Sequence, residues 1–153
     1  MPSGAIMTRV DPAARHRARE AALQMLYQSE IGRAGAHETI VTYWPANDPD
    51  GEVGEELRAF ANRLVRETLT RMPEIDARLA AHAKNWRVER MAVIDRVVLR
   101  LAVAELLSQP ETPPKVVINE ALELARTFSG DESVAFVNGV LDAVQKELGN
   151  EGP

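Results

Sequence analysis

"VERMAVIDRVVLRLAVAELL", residues 88–107, decides the fold class. Val93, Ile94, Val97, Val98, Leu101, Ala104 and Leu106 make it apolar enough for a wholly buried element, and its β-branched content suits a strand as well as a helix. Glu105 and the regular spacing of Asp95, Arg96 and Arg100 favour a central buried helix with one polar stripe.

Working outward, helical segments follow on both sides. "PETPP" (110–114) interrupts the chain, and Pro114 is well placed to start the next helix, "KVVINEALELARTF". Ser129 and Glu132 have capping-box spacing for a last helix running to about Leu148. Within that helix Gly139 sits at a cost of about 1 kcal/mol against alanine, which implies another backbone packed close by. Upstream, Val53, Leu57, Phe60, Ala61, Leu64, Val65, Leu69 and Met72 keep helical spacing, and Pro73 ends that helix or begins the next. Ile75, Leu79, His82 and Trp86 continue the period. "AHETIVTYW" (36–44) reads as a short helix ending near Trp44, and "PANDPDGEVG" (45–54) as a turn-rich loop. Asp11 and Pro12 suit the N-cap and N1 positions of a first helix that runs to Ile31 and is stopped by Gly32. Residues 1–10 are expected to be disordered. No segment reads as a strand, so the expected class is all-α.

At 153 residues, 45% hydrophobic and 27% charged, the chain suits one globular domain or two small subdomains. The absence of cysteine excludes disulfides and a thiol nucleophile. No apolar run approaches the ~20 residues of a membrane span and no signal-peptide core is present, so a cytoplasmic location is expected. Charge is unevenly spread. Residues 1–19 carry four arginines against Asp11 alone, a net of +3, whereas the remaining 134 carry 14 cations against 22 anions, a net of −8. A basic tip on an acidic body points to a localised anion site.

Candidates for catalysis are few. His16, His37 and His82 fall in three different elements, so no metal site is expected, and the nine glycines form no phosphate-cradling loop, so no cofactor is expected either. Glu120 and Glu123, three apart on one helix, read as a solvated face. Binding is better supported. Arg15, Arg17 and Arg19, with His16 among them, occupy the first turns of the first helix, where unpaired N–H groups and the positive dipole end disfavour cations. An outside anion is needed, and arginine matches phosphate oxygens well. On the helical wheel Ala14, Ala18, Ala21, Ala22, Met25 and Leu26 share one side, which leaves the basic residues accessible. Phe136 reads as core or as an aromatic platform for an unstacked base.

"RHRAREAALQMLYQ" (15–28), "DRVVLRLAVAELL" (95–107), "INEALELARTF" (118–128) and "FVNGVLDAV" (136–144), in this order and spacing, resemble the NusB family of transcription antitermination factors. The resemblance spans about Ala13 to Leu148. It implies an all-α protein of about six or seven helices in two small bundles, about 11–86 and about 87–148, with a short tail at 149–153 and no catalytic site. It also implies binding of the single-stranded boxA element of nascent RNA together with NusE, a small-subunit ribosomal protein, and assembly of an antitermination complex on RNA polymerase, notably on ribosomal RNA operons. By the same resemblance Arg15, His16, Arg17, Arg19 and Phe136 fall on RNA-binding positions, and Tyr27 and Asp95 on positions used toward NusE. His16 stands where the family usually has arginine, which makes a phosphate contact there pH-dependent. Ala135 stands where a lysine is common. Two alternatives stay open. One is the NusB-like part of a ribosomal RNA cytosine methyltransferase, although no glycine-rich cofactor site follows here. The other is a helical protein-interaction adaptor without RNA affinity, including a homodimer that buries the small-residue face or covers the arginines.

Overall fold

The computed structural model describes residues 12–83 and 87–151. Among these are seven α-helices and no strand. They are α1 (Pro12–Gly32), α2 (Ala36–Asn47), α3 (Glu55–Thr70), α4 (Met72–His82), α5 (Val93–Ser108), α6 (Pro114–Phe128) and α7 (Asp131–Glu151), with a 3-10 turn at Val88–Arg90. The expected disordered tail, the Asp11 cap and Trp86 lie outside the described residues.

Contacts divide the chain into two compact units, 1–66 and 67–153. The boundary therefore falls inside α3, well before the expected position near residue 86. The reason is α4, which packs on α5 and α7 and so belongs with the C-terminal helices.

In the first unit, buried positions of α1 run from Ala14 through Ala18, Arg19, Ala21, Ala22, Leu23, Met25 and Leu26 to Ser29. At 100° per residue they cover roughly 200° of the helix, about twice an ordinary amphipathic stripe. The small-residue face accounts for only part of that arc. Arg19 and Leu23, which are not among the residues of that face, also lie inside the arc. Gly32 is the last residue of the helix, and the chain leaves it through Arg33 in the left-handed region (φ 53°), with Ser29 Oγ donating to Ala34 O at 2.6 Å. Helix α2 continues three residues past Trp44 with Pro45 inside its last turn. Proline removes one donor there, but Asp48 N–H still donates to Trp44 O and Asn47 Nδ2 to Tyr43 O, each at 2.8 Å.

Asp48 organises the following loop. Its carboxylate accepts from the backbone N–H of Glu52 and Val53, each at 2.9 Å, and from the Arg58 guanidinium. The Arg58 hydrogen bond, with help from the two N–H groups and against the effect of burial, holds its pKa below the usual 3.8. A lowered folded-state pKa stabilises the fold above the unfolded value, and that contribution disappears as pH falls through the folded value. Urea unfolding between about pH 6 and pH 2.5 should therefore find Asp48→Asn less stable than the parent at pH 6, with the gap closing below about pH 4. A gap that stays constant across this range contradicts the assignment.

In the second unit, α5 is a central helix as predicted, with ten consecutive buried residues from Arg96 to Glu105. Its polar residues are not a solvated stripe, because Arg96, Arg100 and Glu105 are themselves buried. Arg96 Nη1 donates to Val88 O and Met91 O, each at 3.2 Å, and so ties down the 3-10 turn. Arg100 forms a bidentate pair with Asp76 of α4, with Nε–Oδ1 and Nη2–Oδ2 both at 2.8 Å. Val98, Leu99, Leu101 and Val103 share the unit's core with Ile75 and Leu79 of α4, Val117 and Leu124 of α6, and Val137, Leu141 and Val144 of α7. Pro73 and Pro114 each sit in the first turn of their helices. His82, expected in α4's apolar period, is half-buried and lies 3.1 Å from Glu147, which also pairs with Arg78. Helix α7 runs through Gly149 to Glu151, so residues expected in the tail are helical.

Candidate functional site

Helix α1 carries no acidic residue in its first turn. Arg17 is exposed, and Arg15 and His16 are half-buried. Arg15 places its guanidinium carbon 4.6 Å from the centroid of the Phe60 ring, donated by α3. Arg19, only 3% exposed, is buried and lies 5.5 Å from the same centroid, which corrects the expectation of an accessible side chain. His16 Nε2 is 3.4 Å from Glu20. Arg17 lines a cavity of about 200 Å³ with Glu20, Gln24, Tyr43, Trp44 and Asp48. There Tyr43 donates to Gln24 Oε1 at 2.5 Å, and burial followed by the nearby Glu20 charge pushes its phenol above the usual 10.0. Tyr27, further along α1, is 40% exposed.

The second unit brings together two residues that sequence assigned to different ligands. Asp95 and Phe136 line one cavity of about 330 Å³ with Met91, Ala92, Glu132 and Ser133. Asp95 does not take its hydrogen bonds from Arg96 or Arg100 of its own helix, both of which have partners elsewhere. It accepts from Ser129 Oγ at 2.7 Å and Ser133 Oγ at 3.0 Å, and the two hydroxyls are 2.8 Å apart. Ser129 is thus engaged by Asp95, and α7 starts at Asp131 after Gly130, whose φ of 133° suits a residue without Cβ. The expected capping box is replaced by this serine pair. Gly139 is exposed, and a methyl group added to it would meet nothing within 4 Å, so the expected close backbone approach is absent among the described residues. Glu123 pairs with Arg126 at 2.6 Å, in keeping with a solvated face. Among the described residues no group of three or more His, Cys, Asp or Glu is placed to hold a metal, and no helix is long and apolar enough to cross a membrane.

Sequence reasoning misses Phe60 as the buried ring beneath the arginines and the two serines as partners of Asp95. Phe60 reads as a core position by period alone, and nothing local marks a ring that three arginines approach.

Comparison with known proteins matches the chain to the NusB family. The NusB family model covers residues 16–146. The chain is 47% identical over 137 residues to the transcription antitermination protein NusB of Koribacter versatilis, spanning 90% of this chain and 92% of that protein. It is 43% identical over 138 residues to the NusB of Sorangium cellulosum, spanning 89% and 94%. Among solved structures it is similar to T. maritima NusB, with a TM-score of 0.78, 32% identity, and coverage of 87% of this chain and 91% of that one. It is also similar to a chain from the crystal structure of antitermination factors NusB and NusE in complex with dsRNA, with a TM-score of 0.78, 25% identity, and coverage of 90% and 99%.

Proposed function

This chain belongs to the NusB family, and from that premise we propose that it acts in transcription antitermination by binding RNA together with NusE. The RNA is a boxA-type single strand, and the complex joins RNA polymerase, notably on ribosomal RNA operons. The observation that carries this most is the start of α1. Arg15 and Arg17 stand at the positive end of a helix dipole, and among the described residues no carboxylate pairs with either. The RNA backbone supplies the missing anion.

Arg15, His16 and Arg17 contact RNA directly, while the buried Arg19 supports Arg15 across Phe60. Phe136 offers a ring to a base. Tyr27 and Asp95 face NusE, the latter with its carboxylate held by Ser129 and Ser133. The chain works in the cytoplasm as a binding module with no catalytic step. A few arginine contacts give weak, salt-sensitive affinity, and a second partner bound alongside raises it.

Arg15→Ala and Arg17→Ala should each lower the salt slope of RNA binding by ~0.7, the single-strand value per phosphate contact, measured by fluorescence anisotropy on a boxA oligonucleotide. An unchanged slope in both variants contradicts the assignment.

A further inference from the structure

Three guanidinium groups converge on one ring. Arg15 and Arg19 from α1 lie 4.6 and 5.5 Å from the Phe60 centroid, and Arg63 from α3 lies 5.9 Å from it. A shared centroid keeps all three within about 11 Å of one another, close to the Debye length of about 10 Å at 0.1 M salt, so a ligand meets them as one field.

Arg63 differs from its neighbours in what surrounds it. Arg58, on the same helix, is paired with Asp48 and lies over Trp44. Glu67, one turn along from Arg63, is engaged by Arg71 at 3.0 Å. Arg63 itself is exposed, and among the described residues no carboxylate pairs with it. An aromatic face attracts a cation without cancelling its charge. It also restricts the side chain before any ligand arrives, which reduces the entropy lost on binding. An exposed, pre-ordered and un-neutralised guanidinium is well suited to a phosphate. We infer that α3 contributes Arg63 as a further contact to the RNA backbone, so that the phosphate-binding surface spans α1 and α3 through Phe60. This rests on the reading of α1 as an RNA-binding element.

The test is a salt titration, from about 0.05 to 0.3 M, of boxA single-strand binding by the full chain with NusE, comparing Arg63→Gln, Arg63→Lys and Arg15→Ala. Arg63→Gln should bind about fivefold more weakly at 0.1 M salt, the factor a slope of ~0.7 generates between 1 M and 0.1 M, with its slope reduced by that amount. Arg63→Lys should keep the parental slope. An unchanged slope in Arg63→Gln alongside a lowered one in Arg15→Ala overturns the inference and leaves the α1 assignment standing. Equal weakening by Gln and Lys with no change of slope marks a packing role and also overturns it. Unchanged slopes in both Arg15→Ala and Arg63→Gln remove the α1 assignment and the inference together.

Discussion

Phe60→Ala should lower the unfolding free energy by about 3–5 kcal/mol, the range for deleting a buried aromatic side chain. Phe60 is 2% exposed and among the largest fully buried side chains, so little water fills the space it leaves. For a domain of ordinary stability, about 5–15 kcal/mol, that loss removes roughly a fifth or more of the total. Thermal unfolding followed by circular dichroism should show a midpoint lower by about 10 °C. Phe60→Leu separates the two roles of the ring. It keeps most of the volume and should cost only about 1–2 kcal/mol, but it removes the aromatic ring that Arg15, Arg19 and Arg63 approach. Its RNA affinity should therefore fall more than its stability does. A Phe60→Leu protein that binds RNA as the parent does would confine the ring to packing.

Asp76→Ala should cost about 2 kcal/mol, the second-largest effect expected. Breaking a buried ion pair typically costs about 3–5 kcal/mol because a charge is left behind in a poorly solvated place. Here the Arg100 side chain is 10% exposed but that of Asp76 is 31% exposed, so water softens the loss. The double variant Asp76→Leu with Arg100→Met should unfold at a higher denaturant concentration than Asp76→Ala, since replacing both partners leaves no uncompensated charge. A double variant weaker than Asp76→Ala would mean that the pair contributes more than it costs to desolvate, contrary to this expectation.

These two sites also mark where the sequence is readable. The all-α class follows from α5, because charged residues at helical intervals outweigh a β-branched composition. What spacing does not reveal is that Arg96, Arg100 and Glu105 are buried. A polar residue on a helix reads as solvent-facing unless its partner is known, and Asp76 is 24 residues away from Arg100. The same limit applies to α1. Its run of alanines identifies one packed face, but a helix buried over more than half its circumference also takes in Leu23 and Arg19, and only tertiary structure shows that width. The Ser129 spacing fits a cap, yet a hydroxyl goes to the better acceptor within reach, here the Asp95 carboxylate from another helix.

The candidate site is legible in outline because unfavourable charge placement at a helix start is a local signal. Arg15 and Arg17 stand out by it, and neither has a carboxylate partner among the described residues. Arg63 carries no such signal, since an arginine on an exposed helix face is ordinary until the ring beneath it is seen. The shared cavity of Asp95 and Phe136, 41 positions apart in sequence, likewise depends on how α5 and α7 pack.

The most direct test of RNA recognition with NusE is binding of the full chain to a boxA RNA and to a scrambled RNA of the same composition, with and without NusE, across a range of salt. The expected result is preference for boxA, strengthened by NusE and weakened by salt. Equal, weak binding to both RNAs with no effect of NusE would contradict it and would leave a helical adaptor with a basic tip.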